Sequence, residues 1–211
     1  MVARRASATA KIVAVKSSME RPQVLESETK EILRLAELVL ATAGDFVELG
    51  CYKGETSVLL ARLLREHKSD KKLWLYDSFA GLPKKTVEDA SAAGEQFRAG
   101  ELFVTKREVT EKFKRAGLPM PIIKKGFFED LDAARDLPPA IAFAFLDGDL
   151  YSSIKTSLRL VLPKMDARGI IIVHDYNNPE LPGSARAVDE FLRAHSEYKL
   201  VQKHTLAILT H

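Results

Sequence analysis

Apolar positions along the chain switch repeatedly between helical and strand spacing, and this alternation predicts a wound α/β domain. Over residues 26–43, Ile32, Leu35, Ala36, Val39 and Ala43 recur at helical spacing, with Ser27 as cap, Glu28 and Glu31 in the first turn, and Gly44 as the stop. Residues 45–49 read as a short apolar strand. Gly50 and Gly54 follow it and lead into a helix through Val58, Leu59, Leu60, Leu63 and Leu64, which runs out in the charged residues 65–68. A second strand covers 72–79. The pattern then dissolves over 80–100, and so long a loop inside a compact domain predicts a lid beside the site. A helix at 101–116, a strand at 121–128 and a short helix at 131–137 come next. The segments 140–146 and 169–173 are uninterruptedly apolar, as central strands covered on both faces must be. A helix through Ile154, Leu158, Val161 and Leu162 joins them, and a helix at 184–195 with short strands at 198–202 and 205–209 closes the chain.

A length of 211 residues suits one such domain, taken as 23–211, behind a tail at 1–22. The net charge of +3 is misleading, because residues 1–19 hold Arg4, Arg5, Lys11 and Lys16 with no acid and leave the remainder near −1. With no basic stripe interleaved with aromatics, a nucleic-acid partner is not expected, and the tail reads as flexible. No apolar run is long enough for a bilayer and no export signal opens the chain, so a cytoplasmic protein without membrane contact is expected. The single cysteine, Cys51, excludes a disulfide framework and reads as an apolar filler.

The candidate chemistry lies at strand ends, because parallel strands deliver their C-terminal ends to one rim, where ligands bind. Glu48, Asp77, Asp147, His174 and Asp175 would share that rim. In the turn after the first strand, Gly50 and Gly54 allow close backbone approach to a ligand. Glu48 just before them would repel a pyrophosphate but suits the amino acid portion of S-adenosylmethionine. Asp77, an acid ending the second strand, is placed to receive ribose hydroxyls. So many acids need a cation among them, and a sulfonium cofactor together with a divalent metal would supply it. Asp147 and Asp175 are the expected oxygen ligands. His174 or Asn177 would be a third ligand or an outer partner, and a histidine ligand favours manganese, iron or zinc over magnesium. Blander roles are Asp149 as cap of the helix beginning near Tyr151, and His174 as a strand-end hydrogen-bonding group.

Four ordered motifs carry a resemblance: Phe46-Val47-Glu48-Leu49-Gly50-Cys51-Tyr52-Lys53-Gly54; Tyr76-Asp77-Ser78-Phe79-Ala80-Gly81-Leu82-Pro83; Leu146-Asp147-Gly148-Asp149-Leu150-Tyr151-Ser152-Ser153; and His174-Asp175-Tyr176 followed by Pro182-Gly183 and Ala187 to Phe191. Together they resemble the macrocin O-methyltransferase family over roughly residues 45–195. The resemblance implies a Rossmann-like class I methyltransferase fold: a central, mostly parallel seven-stranded sheet with an antiparallel C-terminal strand and helices on both faces. It implies S-adenosylmethionine as cofactor, held by Glu48, Gly50, Tyr52, Ser57, Asp77, Ser78, Phe79, Phe128 and Asp147. It also implies a divalent metal, magnesium in the first instance, on Asp147 and Asp175, with His174 the candidate third ligand, and a small-molecule hydroxyl acceptor such as a sugar of a glycosylated natural product. A homodimer is left open. The chain departs from the family in carrying His174-Asp175 where two adjacent acids are common. Asp147 or His174, whichever the metal leaves free, is the candidate general base. The alternative is a metal-independent methyltransferase with His174 as base.

Overall fold

The computed structural model describes residues 23–92 and 96–211. The basic tail at 1–22 and the tip of the 80–100 loop lie outside the described residues. In chain order the elements are α1 (Glu26–Leu38), β1 (Asp45–Leu49), α2 (Glu55–Glu66), β2 (Leu73–Asp77), a 3-10 turn (Val87–Asp89), α3 (Lys106–Arg115), β3 (Ile122–Lys125), a 3-10 turn (Phe128–Asp130), α4 (Ala133–Asp136), β4 (Ile141–Leu146), α5 (Tyr151–Val161), a 3-10 turn (Leu162–Lys164), β5 (Met165–Val173), α6 (Pro182–Ala194), β6 (Lys199–Lys203) and β7 (Leu206–Thr210).

The seven strands form one sheet in the order β3-β2-β1-β4-β5-β7-β6, with β7 antiparallel to both its neighbours and the other pairs parallel. Strand alternation splits the core into two layers. Phe46, Leu75, Phe143, Phe145, Ile170, Ile172 and Ile208 face one side, with Ile32, Leu60 and Phe113 from α1, α2 and α3. Val47, Leu49, Tyr76, Leu146, Ile171, Val173 and Leu209 face the other, with Ile154, Leu158, Val188 and Phe191 from α5 and α6. The expected sheet and its antiparallel last strand are therefore present.

Most departures from the expected boundaries trace to capping. Helix α1 starts from Leu25, whose N–H is accepted by Glu28 at 2.9 Å, so Ser27 lies inside the helix rather than at its cap. It ends at Leu38, where Val39 and Leu40 turn back with short-range N–H bonds to Ala36 and Glu37. Helix α3 begins later than the periodicity suggested because Thr105 caps it: the Thr105 hydroxyl accepts the Glu108 N–H, and the Glu108 carboxylate accepts the Thr105 N–H and hydroxyl.

Candidate functional site

The register of the sheet builds the site. Leu49 pairs with Tyr76 and Leu146, and Leu146 pairs with Val173, so these four strand ends stop level. The ladder continues one step: Gly50 N–H donates to Tyr76 O, Asp147 N–H to Leu49 O and His174 N–H to Leu146 O, at 2.8, 2.8 and 2.9 Å. Gly50, Asp77, Asp147 and His174 therefore emerge side by side on one rim. A cleft above them is lined by Gly50, Tyr52, Asp77, Ser78, Phe128 and Asp147, together with Asp149, His174 and Asp175. A second arm of the cleft, beyond Gly50 and Tyr52, reaches Glu48 and Thr56. Tyr52, Asp149 and Asp175 adopt positive φ in these strand-end turns. Such backbone is costly for side-chain-bearing residues and is typical of functional turns.

The glycine turn is tied from three directions. Gly50 has φ +92°, and a Cβ there would lie 2.0 Å from the Asp147 carbonyl oxygen, so β1 and β4 can end this close only with glycine between them. Asp77 accepts N–H groups from Cys51 (3.1 Å) and Tyr52 (3.0 Å) on one oxygen and from Phe79 (2.7 Å) on the other. It thus holds the turn as well as facing the cleft, and burial pushes its carboxyl above the ordinary range despite those bonds. Glu48 is fully buried and accepts the Ser57 hydroxyl. Burial drives its carboxyl well above the usual range, and the negative charges of Asp147 and Asp77 add to the shift.

Two expected cofactor residues sit elsewhere. Phe79 packs inside the core beside α3 and contributes only its N–H to Asp77, and Ser57 is wholly buried beneath Glu48 as its hydrogen-bond partner. Ser78 and Phe128 do reach the cleft. Cys51 is a buried core residue whose thiol is held protonated by burial and by the charges of Asp77 and Glu48, in keeping with a filler.

His174 is the centre of the acid cluster. Its Nδ1 lies 3.0 Å from Asp147 Oδ1 and 3.0 Å from Asp175 Oδ2, and its Nε2 lies 3.4 Å from Glu28 Oε2. Burial alone would lower the imidazole pKa, but Asp147, Asp175 and Glu28 outweigh it and raise it well above the ordinary value. Both ring nitrogens are engaged by carboxylates, so His174 has no free nitrogen with which to take a proton from an acceptor.

Asp149 is the residue that sequence reasoning undervalued. It does not cap α5; the N–H of Tyr151 donates instead to Asp89 Oδ1 at 2.7 Å, from the turn inside the 80–100 segment. The Asp149 carboxyl is left in the cleft, where burial and the charges of Asp147 and Asp175 raise its pKa well above the usual value. Glu28 reads from the sequence only as an acid in the first turn of a helix, and no local signal places it against His174. Gly81, Leu82, Pro83, Phe97 and Leu102 form one wall of the cleft, anchored by the Leu82–Glu101 and Gly100–Leu82 backbone bonds.

The donor set fits a divalent ion. Bonds of about 2.0–2.2 Å put adjacent ligand atoms about 3 Å apart around a metal, which is the spacing of His174 Nδ1 from both aspartate oxygens. One ligand atom from each of Asp147, His174 and Asp175 lies within 4.8 Å of the others. The second oxygen of Asp175 is held by Asn178 Nδ2 at 2.8 Å, as expected of an oriented ligand.

The sheet order and the acid rim at the strand ends define the class I methyltransferase fold, and solved structures share it. The O-methyltransferase NovP superposes with a TM-score of 0.75 at 27% identity over 87% of this chain and 78% of its own. An O-methyltransferase from Bacillus cereus in complex with SAH superposes with a TM-score of 0.62 over 99% of this chain and 92% of its own, and at 14% identity this is a likeness of fold alone. The chain belongs to the macrocin O-methyltransferase (TylF) family, whose model matches residues 23–203. It is 33% identical over 153 residues to the 8-demethyl-8-(2,3-dimethoxy-alpha-L-rhamnosyl)-tetracenomycin-C 4'-O-methyltransferase of Streptomyces olivaceus, covering 66% of this chain and 56% of that relative's length. No helix among the described residues is long and apolar enough to cross a membrane.

Proposed function

We propose that the protein transfers the methyl group of S-adenosylmethionine to a hydroxyl of a small molecule, most simply a sugar hydroxyl of a glycosylated natural product, with the help of a divalent metal. The observation that carries this reading is the convergence, on one rim, of a buried acid beneath a glycine turn and a separate His/Asp cluster of metal-ligand spacing. Family membership supports the reaction class, and the name of the Streptomyces olivaceus relative, a rhamnosyl-tetracenomycin O-methyltransferase, supports a sugar acceptor.

The cofactor supplies an electrophilic methyl group, and the ion supplies Lewis acidity that makes an acceptor hydroxyl easier to deprotonate. The chain's own groups do the remaining work. Glu48, whose carboxyl burial raises above the ordinary range, would pair with an α-ammonium group, whose positive charge favours the ionised carboxylate, and Gly50 and Tyr52 shape the approach. Asp77 has one acceptor site beyond its three backbone bonds, enough for a ribose hydroxyl. Ser78 and Phe128 line the side where a nucleoside would rest. Asp147, His174 and Asp175 would hold the ion. Asp149, raised in pKa and free of the capping role, takes the acceptor's proton as the new C–O bond forms and the S–C bond breaks. The wall made by residues 81–83 with Phe97 and Leu102 limits water.

The test is calorimetric binding of S-adenosylmethionine followed by mass spectrometry on a panel of sugar, phenol and carboxylate acceptors. Binding, with one methyl added to a hydroxyl and lost in Asp147→Ala and Asp175→Ala, is the expected result. Full activity in both variants refutes the metal-assisted reading, and absence of cofactor binding refutes the whole.

A further inference from the structure

The contact between Glu28 and His174 spans 146 residues of sequence and joins the first helix to the metal-ligand cluster. Glu28 is 1% exposed and its other oxygen is fully occupied: Oε1 accepts the N–H and hydroxyl of Thr205, which enters β7. Oε2 also accepts the N–H of Leu25 at 2.9 Å. A carboxylate fixed by three backbone or side-chain donors from two elements cannot swing away, so the orientation of the imidazole is set by the fold. With an ion between Asp147 and Asp175, Nε2–H would donate to Glu28 and the Nδ1 lone pair would face the ion. This is the carboxylate–histidine arrangement by which proteins fix a ligating tautomer and raise its basicity.

Resting on the metal-assisted reading above, we propose that Glu28 is a positioning residue which makes His174 an Nδ1 ligand, and that the resulting one-imidazole, two-carboxylate centre prefers a transition ion over magnesium. Imidazole nitrogen suits manganese, iron, cobalt or zinc, whereas magnesium favours carboxylate, carbonyl and water oxygen. A site built for magnesium would gain nothing from a buried carboxylate whose one free direction points at a ring nitrogen. The same contact couples ion binding to the docking of α1 on the end of the sheet.

The experiment uses the full chain, freed of metal with chelator, titrated separately with manganese(II) and magnesium(II) by calorimetry, with pulsed electron paramagnetic resonance on the manganese form. Expected are tighter binding of manganese by at least tenfold and a nitrogen coupling from one imidazole. Glu28→Gln should keep the coupling but weaken manganese binding by about 10- to 100-fold, and His174→Asp should abolish the coupling and narrow the preference between the ions. Should Glu28→Gln not fold, judged by circular dichroism, His174→Asp decides alone. Manganese binding without nitrogen coupling, or equal affinity for both ions in the parent, overturns this proposal while leaving metal assistance intact. Failure of both ions to bind overturns this proposal and the metal-assisted reading together.

Discussion

Asp149 and His174 show how neighbours change what a single residue can offer. His174 has a near-neutral reference pKa and is the usual choice for a base, yet in this fold carboxylates face both of its ring nitrogens. Asp149 has the wrong reference pKa, yet desolvation beside Asp147 and Asp175 moves it toward the range where a carboxylate accepts protons effectively. The variant Asp149→Asn should lower kcat by about 10²–10⁴-fold, the usual contribution of a general base, with S-adenosylmethionine affinity unchanged. Steady-state kinetics paired with calorimetry checks this, and an unchanged kcat would return the proton-transfer role to Asp147.

Among the elements, α5 carries the instructive contact. Its first turn has no local cap, and Asp89 supplies one: Oδ1 accepts from Tyr151 N–H and Oδ2 accepts the N–H and hydroxyl of Thr86 at 2.8 and 3.0 Å. Gly183 in α6 is needed for the same contact, since a Cβ there would lie 1.9 Å from Asp89 Oδ1. One buried carboxylate thus bonds the 80–100 segment to α5 and packs closely against α6 at Gly183. Truncating it in Asp89→Ala should cost ~2 kcal/mol, a lost cap plus unpaired buried donors. Urea denaturation measures that cost, and limited proteolysis should show earlier cleavage within 80–100. A loss under a few tenths of a kcal/mol would mean that the wall is held without it. The periodicity of α5 was legible from Ile154 and Leu158, but its cap was not, because a residue 62 positions away carries no local mark of the contact.

At the scale of the molecule, ion pairs tie the outer elements together, and they predict an acid response. The Arg34 guanidinium lowers the Glu31 carboxyl of α1 to a pKa of about 2, against the opposing effect of burial, with Lys203 of β6 adding to it. Asp136 is likewise brought to about 2, chiefly by Arg135. Because the folded values lie below the ordinary 4.5 and 3.8, the unfolded chain binds more protons in this range. The stabilisation is therefore complete above pH 4.5 and fades as pH falls toward about 2. The stability difference between the parent and Glu31→Gln, from urea curves at stepped pH, should shrink across that window. A difference that stays constant would show that Glu31 acts through packing instead of charge.

By itself the sequence determined the order of elements, the two fully apolar central strands, the glycine turn, and the presence of Glu48, Asp77, Asp147, His174 and Asp175 at strand ends. These follow from local periodicity and from the rule that parallel strands share a rim, both of which act over a few residues. Tertiary structure alone decided which acids touch which groups: Glu28 on His174, Asp89 on Tyr151, Asp77 on the turn, Phe79 in the core and Asp149 in the cleft. Each of those pairings depends on strand register and helix docking over long sequence separations, where a shift of one residue would turn a side chain to the opposite face.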